Sequence, residues 1–211
     1  MKQGGKILIL AFVLLIPAAI YIFLRTFGQN EFSVPVYNVD GTIEAYSNDD
    51  ENILNPHKIF LTDLYDSKGH PINWEAFSEN IVILELITVN DNVKKRNYQL
   101  NRVSDIFRNE NSVLFLRVFE KGVKSTSQSI EISDSPKANV RVFYADFNTM
   151  VNMAKFQLAL DVDTLRMNTI DQLVLVDNNQ RIRGYYYSND FDAIDRLILE
   201  IKILLDQEQD V

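Results

Sequence analysis

Two apolar runs constrain this chain more than anything else in it. Ile81 to Thr88 (IVILELIT) and Ser112 to Phe119 (SVLFLRVF) are nearly continuous stretches of β-branched and large apolar residues. Neither alternates with polar residues, so each predicts a strand with no solvent face. A sheet holding such strands must be covered on both sides. Between the two runs, Val93, Leu100, Val103 and Phe107 recur at helical spacing on a polar background, which predicts an amphipathic helix. The unit β–α–β therefore sits at the centre of the chain.

The flanking segments extend the pattern. His57 to Thr62 alternates apolar and polar residues and predicts a strand, Asp66-Ser-Lys-Gly69 a turn, and Pro71 to Trp74 a return segment, together a hairpin. Val140 to Tyr144 predicts a short strand, and Asn148 to Leu160 a helix through Met150, Met153, Ala154 and Leu158. Leu173 to Val176, a turn at Asn178-Asn179-Gln180, and Arg181 to Tyr187 predict a second hairpin. A closing helix is predicted over Asp190–Gln207, with Asn189 and Asp190 suited to its N-cap and first turn. The segment Phe32–Tyr37 is a candidate edge strand, and residues 120–139 give no clear pattern beyond a worn helix or loop. Strands alternating with helices, ending in an antiparallel hairpin, predict a mixed α/β fold on a single sheet.

At the N-terminus, Ile7 to Leu24 carries 18 residues without a charge. As a helix this spans about 27 Å, close to a bilayer core of roughly 30 Å, and a transmembrane helix tolerates the kink expected at Pro17. Lys2 and Lys6 precede it and only Arg25 follows closely, which orients residues 25–211 to the far side of the cytoplasmic membrane. The competing reading is a cleaved signal peptide with small residues at Pro17-Ala18-Ala19. The apolar run continues past them, so an uncleaved anchor is expected. The resulting division is a cytoplasmic stub 1–6, a transmembrane helix 7–24, a stalk or lead-in 25–55, and an extracytoplasmic domain 56–211.

Composition narrows function by exclusion. Of 211 residues 46% are hydrophobic and 24% charged, enough for a substantial core, and the net charge of −8 is unsuited to nucleic acid. With no cysteine in the chain, disulfides, thiolate nucleophiles, Cys-ligated metals and a lipidated-cysteine anchor are all excluded.

Against that background one motif stands out. Leu173-Val-Leu-Val-Asp-Asn-Asn-Gln-Arg-Ile-Arg-Gly-Tyr-Tyr186 resembles the strand–turn–strand "V-L-V-D-x-x-G-x-I-R-G-Y-Y" of the Sco/SenC family. These are membrane-anchored, thioredoxin-like copper chaperones and thiol reductases that help assemble the copper centre of cytochrome c oxidase. The N-terminal anchor, the hairpin around Asp66–Gly69 and the closing helix fit as well, so the likeness covers residues 1–25 and about 56–206, weakly in 120–139. It implies a thioredoxin-like mixed sheet flanked by helices. It also locates the departures. The family's C-x-x-x-C falls on Val89 and Val93, its ligand histidine on Thr169, and its turn glycine on Gln180.

Other residues offer little chemistry. His57 and His70 are expected as exposed loop histidines, and Met150 and Met153 as core fillers rather than a soft-metal pair. Lys94-Lys95-Arg96, the one dense basic run, opens the helix after the former thiol turn, where cations oppose the helix dipole. It is a candidate contact for an acidic or anionic partner, set against the plainer reading of a solvated helix face. The expectation is a binding protein, not an enzyme, with no metal and no cofactor, connected with respiratory oxidase subunits or an intact Sco paralogue. The alternatives are a carrier or enzyme with a relocated site, or a structural envelope protein keeping only the scaffold.

Overall fold

The computed structural model describes residues 12–13, 15–23, 33–37, 43–45, 58–88, 93–122, 139–160 and 171–209. The chain divides into two units, Met1–Ser33 and Val34–Val211. In the first, residues 12–13 and 15–23 are helical (α1), with Phe12, Leu15, Ile20 and Phe23 all exposed. Among the described residues no helix is long and apolar enough to cross a membrane, and the run Ile7–Leu24 is described only in part.

The second unit is built on one five-stranded sheet. Its strands are β3 (Ile81–Ile87), β4 (Val113–Glu120), β5 (Val140–Ala145), β6 (Gln172–Val176) and β7 (Ile182–Tyr187), in the order β5-β4-β3-β6-β7. Strands β3, β4 and β5 are parallel, while β6 and β7 run antiparallel to their neighbours. Helix α2 (Val93–Ile106) follows β3, α3 (Phe147–Asn152) follows β5, and α4 (Phe191–Gln209) closes the chain. This is the mixed sheet that the resemblance implies.

Both predicted double-sided strands are double-sided. Alternate residues of β3 enter two different cores. Ile81 and Ile83 join Leu100 and Val103 of α2 and Ile194, Leu197 and Ile201 of α4 on one face. Val82, Leu84 and Leu86 join Trp74, Met150, Met153 and Leu158 on the other. Each such side chain removed from water contributes about 1.5–3 kcal/mol, so one strand organises both layers.

Several boundaries differ from expectation for identifiable reasons. The stretch 58–62 alternates in burial as predicted, with Ile59 and Leu61 inside and Lys58, Phe60 and Thr62 outside. It pairs with no strand, because the Ile59 N–H donates to the Gln180 carbonyl and the Phe60 N–H to the Gln157 side chain. The turn after it forms as expected: Asp66 Oδ1 accepts from the Lys68 and His70 N–H groups, each at 2.8 Å, and Gly69 takes φ +84°. Its hairpin is reduced to one bridge, Tyr65 to Pro71. The helix predicted over Asn148–Leu160 turns π-helical at Met153–Gln157, the Leu158 N–H reaching back five residues to the Met153 carbonyl. Widening the turn keeps Met153, Ala154 and Leu158 buried together.

The compact unit begins at Val34, ahead of the expected start at residue 56. Val34 and Val36 are buried, and β1 (Val36–Tyr37) pairs with β2 (Ile43–Ala45) in a small antiparallel sheet. Tyr37 meets Tyr185 edge to face, with ring centroids 5.3 Å apart. The lead-in is thus part of the domain. Its fastening is polar: Arg183, fully buried, donates to the Val34 carbonyl and, 3.0 Å away, to Asp177 Oδ2. Arg181 reaches the same carboxylate oxygen at 3.0 Å, while Asp177 Oδ1 accepts from the Asn179 and Arg181 N–H groups. Burial pulls the Arg183 guanidinium below its ordinary value, and Asp177 opposes that shift. The Asp of the family-like motif is therefore the keystone of the β6–β7 turn.

The rest of that motif also has mechanical causes. Gln180, in the glycine position, takes φ +64°, a left-handed conformation that costs a non-glycine residue about 1–2 kcal/mol. At Gly184 any Cβ would collide with the Tyr186 ring, which folds back along the strand over it. The Tyr186 hydroxyl donates to Glu200 on α4, and burial raises its pKa far above the ordinary phenol value. The three consecutive tyrosines divide as strand alternation requires: Tyr185 half-buried, Tyr186 buried, Tyr187 exposed.

Two predictions follow from these contacts. Asp177→Ala leaves two buried guanidinium groups without their shared carboxylate, and should cost about 3–5 kcal/mol in urea unfolding. Asp146 caps α3 by accepting from the Thr149 N–H at 2.9 Å, a bond that holds its carboxyl below the usual range. A carboxylate depressed in the folded state stabilises above its unfolded pKa, near 3.9, and loses that contribution as pH falls. Asp146→Ala should therefore lower stability by roughly 1 kcal/mol at neutral pH. The gap to the parent chain should close as pH drops below about 4 in paired denaturation curves.

Candidate functional site

The carboxyl ends of parallel strands are where open α/β sheets place their sites, and here the one that matters is the junction of β3 with α2. Strand β3 ends at Ile87, Thr88 is buried, and α2 begins at Val93. Val93, which the resemblance sets against the second thiol position, is thus the first residue of the helix. Val89, which the resemblance sets against the first thiol position, lies outside the described residues, as does Thr169. Lys94, Lys95 and Arg96 occupy the first turn of α2, which holds no acidic residue.

Directly beneath this junction lies a buried polar cluster. Glu85 and Arg117 face each other across the parallel β3–β4 register. Arg117 Nε donates to Glu85 Oε2 at 2.7 Å, and Arg117 Nη2 donates to Asn97 Oδ1 on α2 at 2.9 Å. Side-chain exposure is 2% for Arg117 and 1% for Glu85. The guanidinium also stacks against Phe119, 5.5 Å from the ring centroid. The pair interrupts the apolar face: below it lies the main core under α2 and α4, and above it a small cap of Ile87 and Phe119, with Val142 and Tyr144 packed against them. A charge pair this deep costs desolvation that its Coulombic gain only roughly repays, so its structural effect is directional. It ties the first half of α2 to β4 by a hydrogen bond that packing alone would not specify.

Sequence reasoning passed over this pair, although the signal was present. Each buried run carries a single charge, of opposite sign, at the fifth residue of its strand. Parallel strands in matched register bring those positions together.

The remaining sequence candidates do not converge. Met150 and Met153 fill the core, 0% and 3% exposed, as expected of core fillers. His70 is exposed in its turn, 3.0 Å from Asp66 Oδ2, and His57 lies outside the described residues. Among the described residues no group of three or more His, Cys, Asp or Glu could hold a metal ion. Without a thiol, the β3–α2 junction has no nucleophile or soft donor of the kind a thioredoxin-like site uses.

No family model matches the chain, and no curated protein matches it in sequence. Solved structures do match. A SCO1/SenC family lipoprotein from Bacillus anthracis superposes with a TM-score of 0.57 at 12% identity, over 71% of this chain and 96% of that one. BsSco, described as a member of the Sco family of cytochrome c oxidase assembly proteins, gives 0.54 at 13% identity, over 72% and 96%. A thiol peroxidase from Chromobacterium violaceum gives 0.51 at 14% identity, over 84% and 94%. The fold is therefore thioredoxin-like, and proteins of the Sco/SenC family are among those that share it.

If the Glu85–Arg117 pair specifies α2 rather than supplying net stability, its removal should be strongly non-additive. Glu85→Leu or Arg117→Met alone should cost about 3–5 kcal/mol, because each strands a buried charge, while the double substitution should recover most of that loss. A double-mutant cycle in urea measures this, and additive costs would refute the assignment.

Proposed function

We propose that this protein is a Sco/SenC-like binding factor that has given up the family's copper and thiol chemistry. One observation carries the reading: a thioredoxin-like fold whose helix after the central strand opens on Val93, in a chain with no cysteine. Valine at a strand–helix junction preserves a small apolar volume, so the scaffold survives the change while the thiolate does not. The reading includes an anchor at residues 7–24 in the cytoplasmic membrane, with the domain on the extracytoplasmic side. The protein uses no cofactor and catalyses no reaction. Its partners are respiratory oxidase subunits or an intact Sco paralogue, and Lys94, Lys95 and Arg96 at the start of α2 are the contacts it offers them. Support comes from BsSco, which belongs to a family of oxidase assembly proteins, and from the 18 uncharged residues at the N-terminus.

Three measurements test this reading. Titrating the detergent-purified chain with Cu(I) under reducing conditions should give no stoichiometric complex, and one tightly held equivalent would refute the loss of the site. Placing Val89→Cys, Val93→Cys and Thr169→His together in the same chain should restore copper binding. Affinity purification from native membranes should recover oxidase subunits or a Sco paralogue. If neither is retained, the link to oxidase assembly fails.

A further inference from the structure

Two rows of side chains on the solvent side of α2 and α4 match each other residue for residue. Four-residue spacing puts Tyr98, Arg102 and Ile106 in one row along α2, and Phe191, Asp195 and Leu199 in one row along α4. Each row reads aromatic, charged, aliphatic, and the two charges are opposite. The apolar members stand in water: Tyr98 is 67% exposed, Ile106 46%, Phe191 56% and Leu199 57%. Between them Arg102 Nη2 donates to Asp195 Oδ1, and both side chains stay partly exposed, 38% and 59%.

The rows also lie level. Two antiparallel pairings, β3 with β6 and β6 with β7, leave β7 parallel to β3. Helix α2 returns from β3 to the start of the parallel strand β4. Helix α4 folds back along β7, its Arg196 bonding the Tyr185 carbonyl and its Glu200 accepting from the Tyr186 hydroxyl. Both cover the same face of the sheet, so they run in the same direction. With Arg102 bonded to Asp195, one turn onward sets Ile106 level with Leu199, and one turn back sets Tyr98 level with Phe191. Charge divides between the helices as well. Helix α2 carries Lys94, Lys95, Arg96 and Arg102 against Asp105, whereas α4 carries Asp192, Asp195, Glu200, Asp206 and Glu208 against Arg196 and Lys202.

We infer that this face is a contact for a second copy of the chain, formed across a two-fold axis lying along the α2–α4 seam. An isologous contact requires a surface complementary to itself, and this one is. Rotation about that axis lays α2 of one copy on α4 of the other. Tyr98 then meets Phe191, Ile106 meets Leu199, and Arg102 meets Asp195 of the second copy, so four charges alternate at the corners of a square. The basic helix lies on the acidic one on both sides of the axis. An axis running across the helices would instead set Arg102 against Arg102 and Asp195 against Asp195, and like charges opposed reject that arrangement. Single exposed apolar residues are ordinary on a protein surface. Here their levels and the sign of the charge between them name the occupant. The inference needs only the Val34–Val211 unit, and it stands or falls apart from the oxidase reading.

Sedimentation equilibrium of the full chain in a density-matched detergent tests this. A reversible dimer in roughly the micromolar range is expected, because two helices per copy make a contact of the smaller class. Arg102→Asp sets a carboxylate against Asp195 of the second copy and should weaken the dimer by about tenfold or more. The pair is exposed, so the thermal unfolding curve should barely move. Arg102→Asp combined with Asp195→Arg restores the alternation and should recover the dimer. The chain has no cysteine, so cross-linking reports the arrangement directly. Mixing Tyr98→Cys with Phe191→Cys chains and oxidising with diamide should join the two variants, and each alone should cross-link far less. A monomer at every concentration overturns the inference. A dimer indifferent to Arg102→Asp does so too, since its contact then lies elsewhere. A folded double variant that stays monomeric, or Tyr98→Cys joining to itself in preference to Phe191→Cys, overturns it as well.

Discussion

Strand β3 has water on neither face, and most of the molecule is arranged to keep it that way. Its even residues need one apolar layer and its odd residues another. Trp74, α3 and the extended stretch at Ile59–Leu64 cover the even residues, while helices α2 and α4 cover the odd ones. Neither layer is self-sufficient, because each buries only half of every strand. Losing either would expose the opposite side chains of the same backbone.

Two polar clusters then fix what apolar packing leaves loose. At one end of the sheet, Asp177 gathers Arg181 and Arg183 and, through Arg183, clamps the incoming chain at Val34. At the other, Glu85 and Arg117 orient α2 through Asn97. Apolar burial is non-directional and tolerates slippage, whereas a buried carboxylate accepts only the geometry that satisfies it. The two clusters lie at opposite ends of β3, so entry of the chain and presentation of α2 are specified independently.

Much of this was legible in the sequence. Uninterrupted apolar runs identified the buried strands, because only a strand covered on both sides uses such composition. Helical spacing at Leu100, Val103 and Phe107 identified α2, and Asp190, whose carboxylate accepts from the Asp192 N–H at 3.0 Å, opens α4 where expected. The motif around Asp177 to Tyr186 was recognised by likeness, but its reasons were not. That Tyr186 lies over Gly184, or that Gln180 adopts a glycine conformation, depends on side-chain directions that spacing does not encode. The stretch at 58–62 was misjudged for a similar cause: its alternation is real, but its backbone partners are a turn and a glutamine.

By itself the sequence determined the alternation of strands and helices, the two-sided burial of β3 and β4, and the absence of any thiolate or cysteine-ligated metal, since each follows from which residues are present and at what period. Tertiary structure alone decided which distant residues became partners. Glu85 meets Arg117 through parallel register, while Val34 is bound by Arg183 and the Phe60 N–H by Gln157 where the chain crosses itself at long separation. Periodicity records which face a residue takes, but not what waits on that face, and in this protein both polar clusters are made of such long-range encounters.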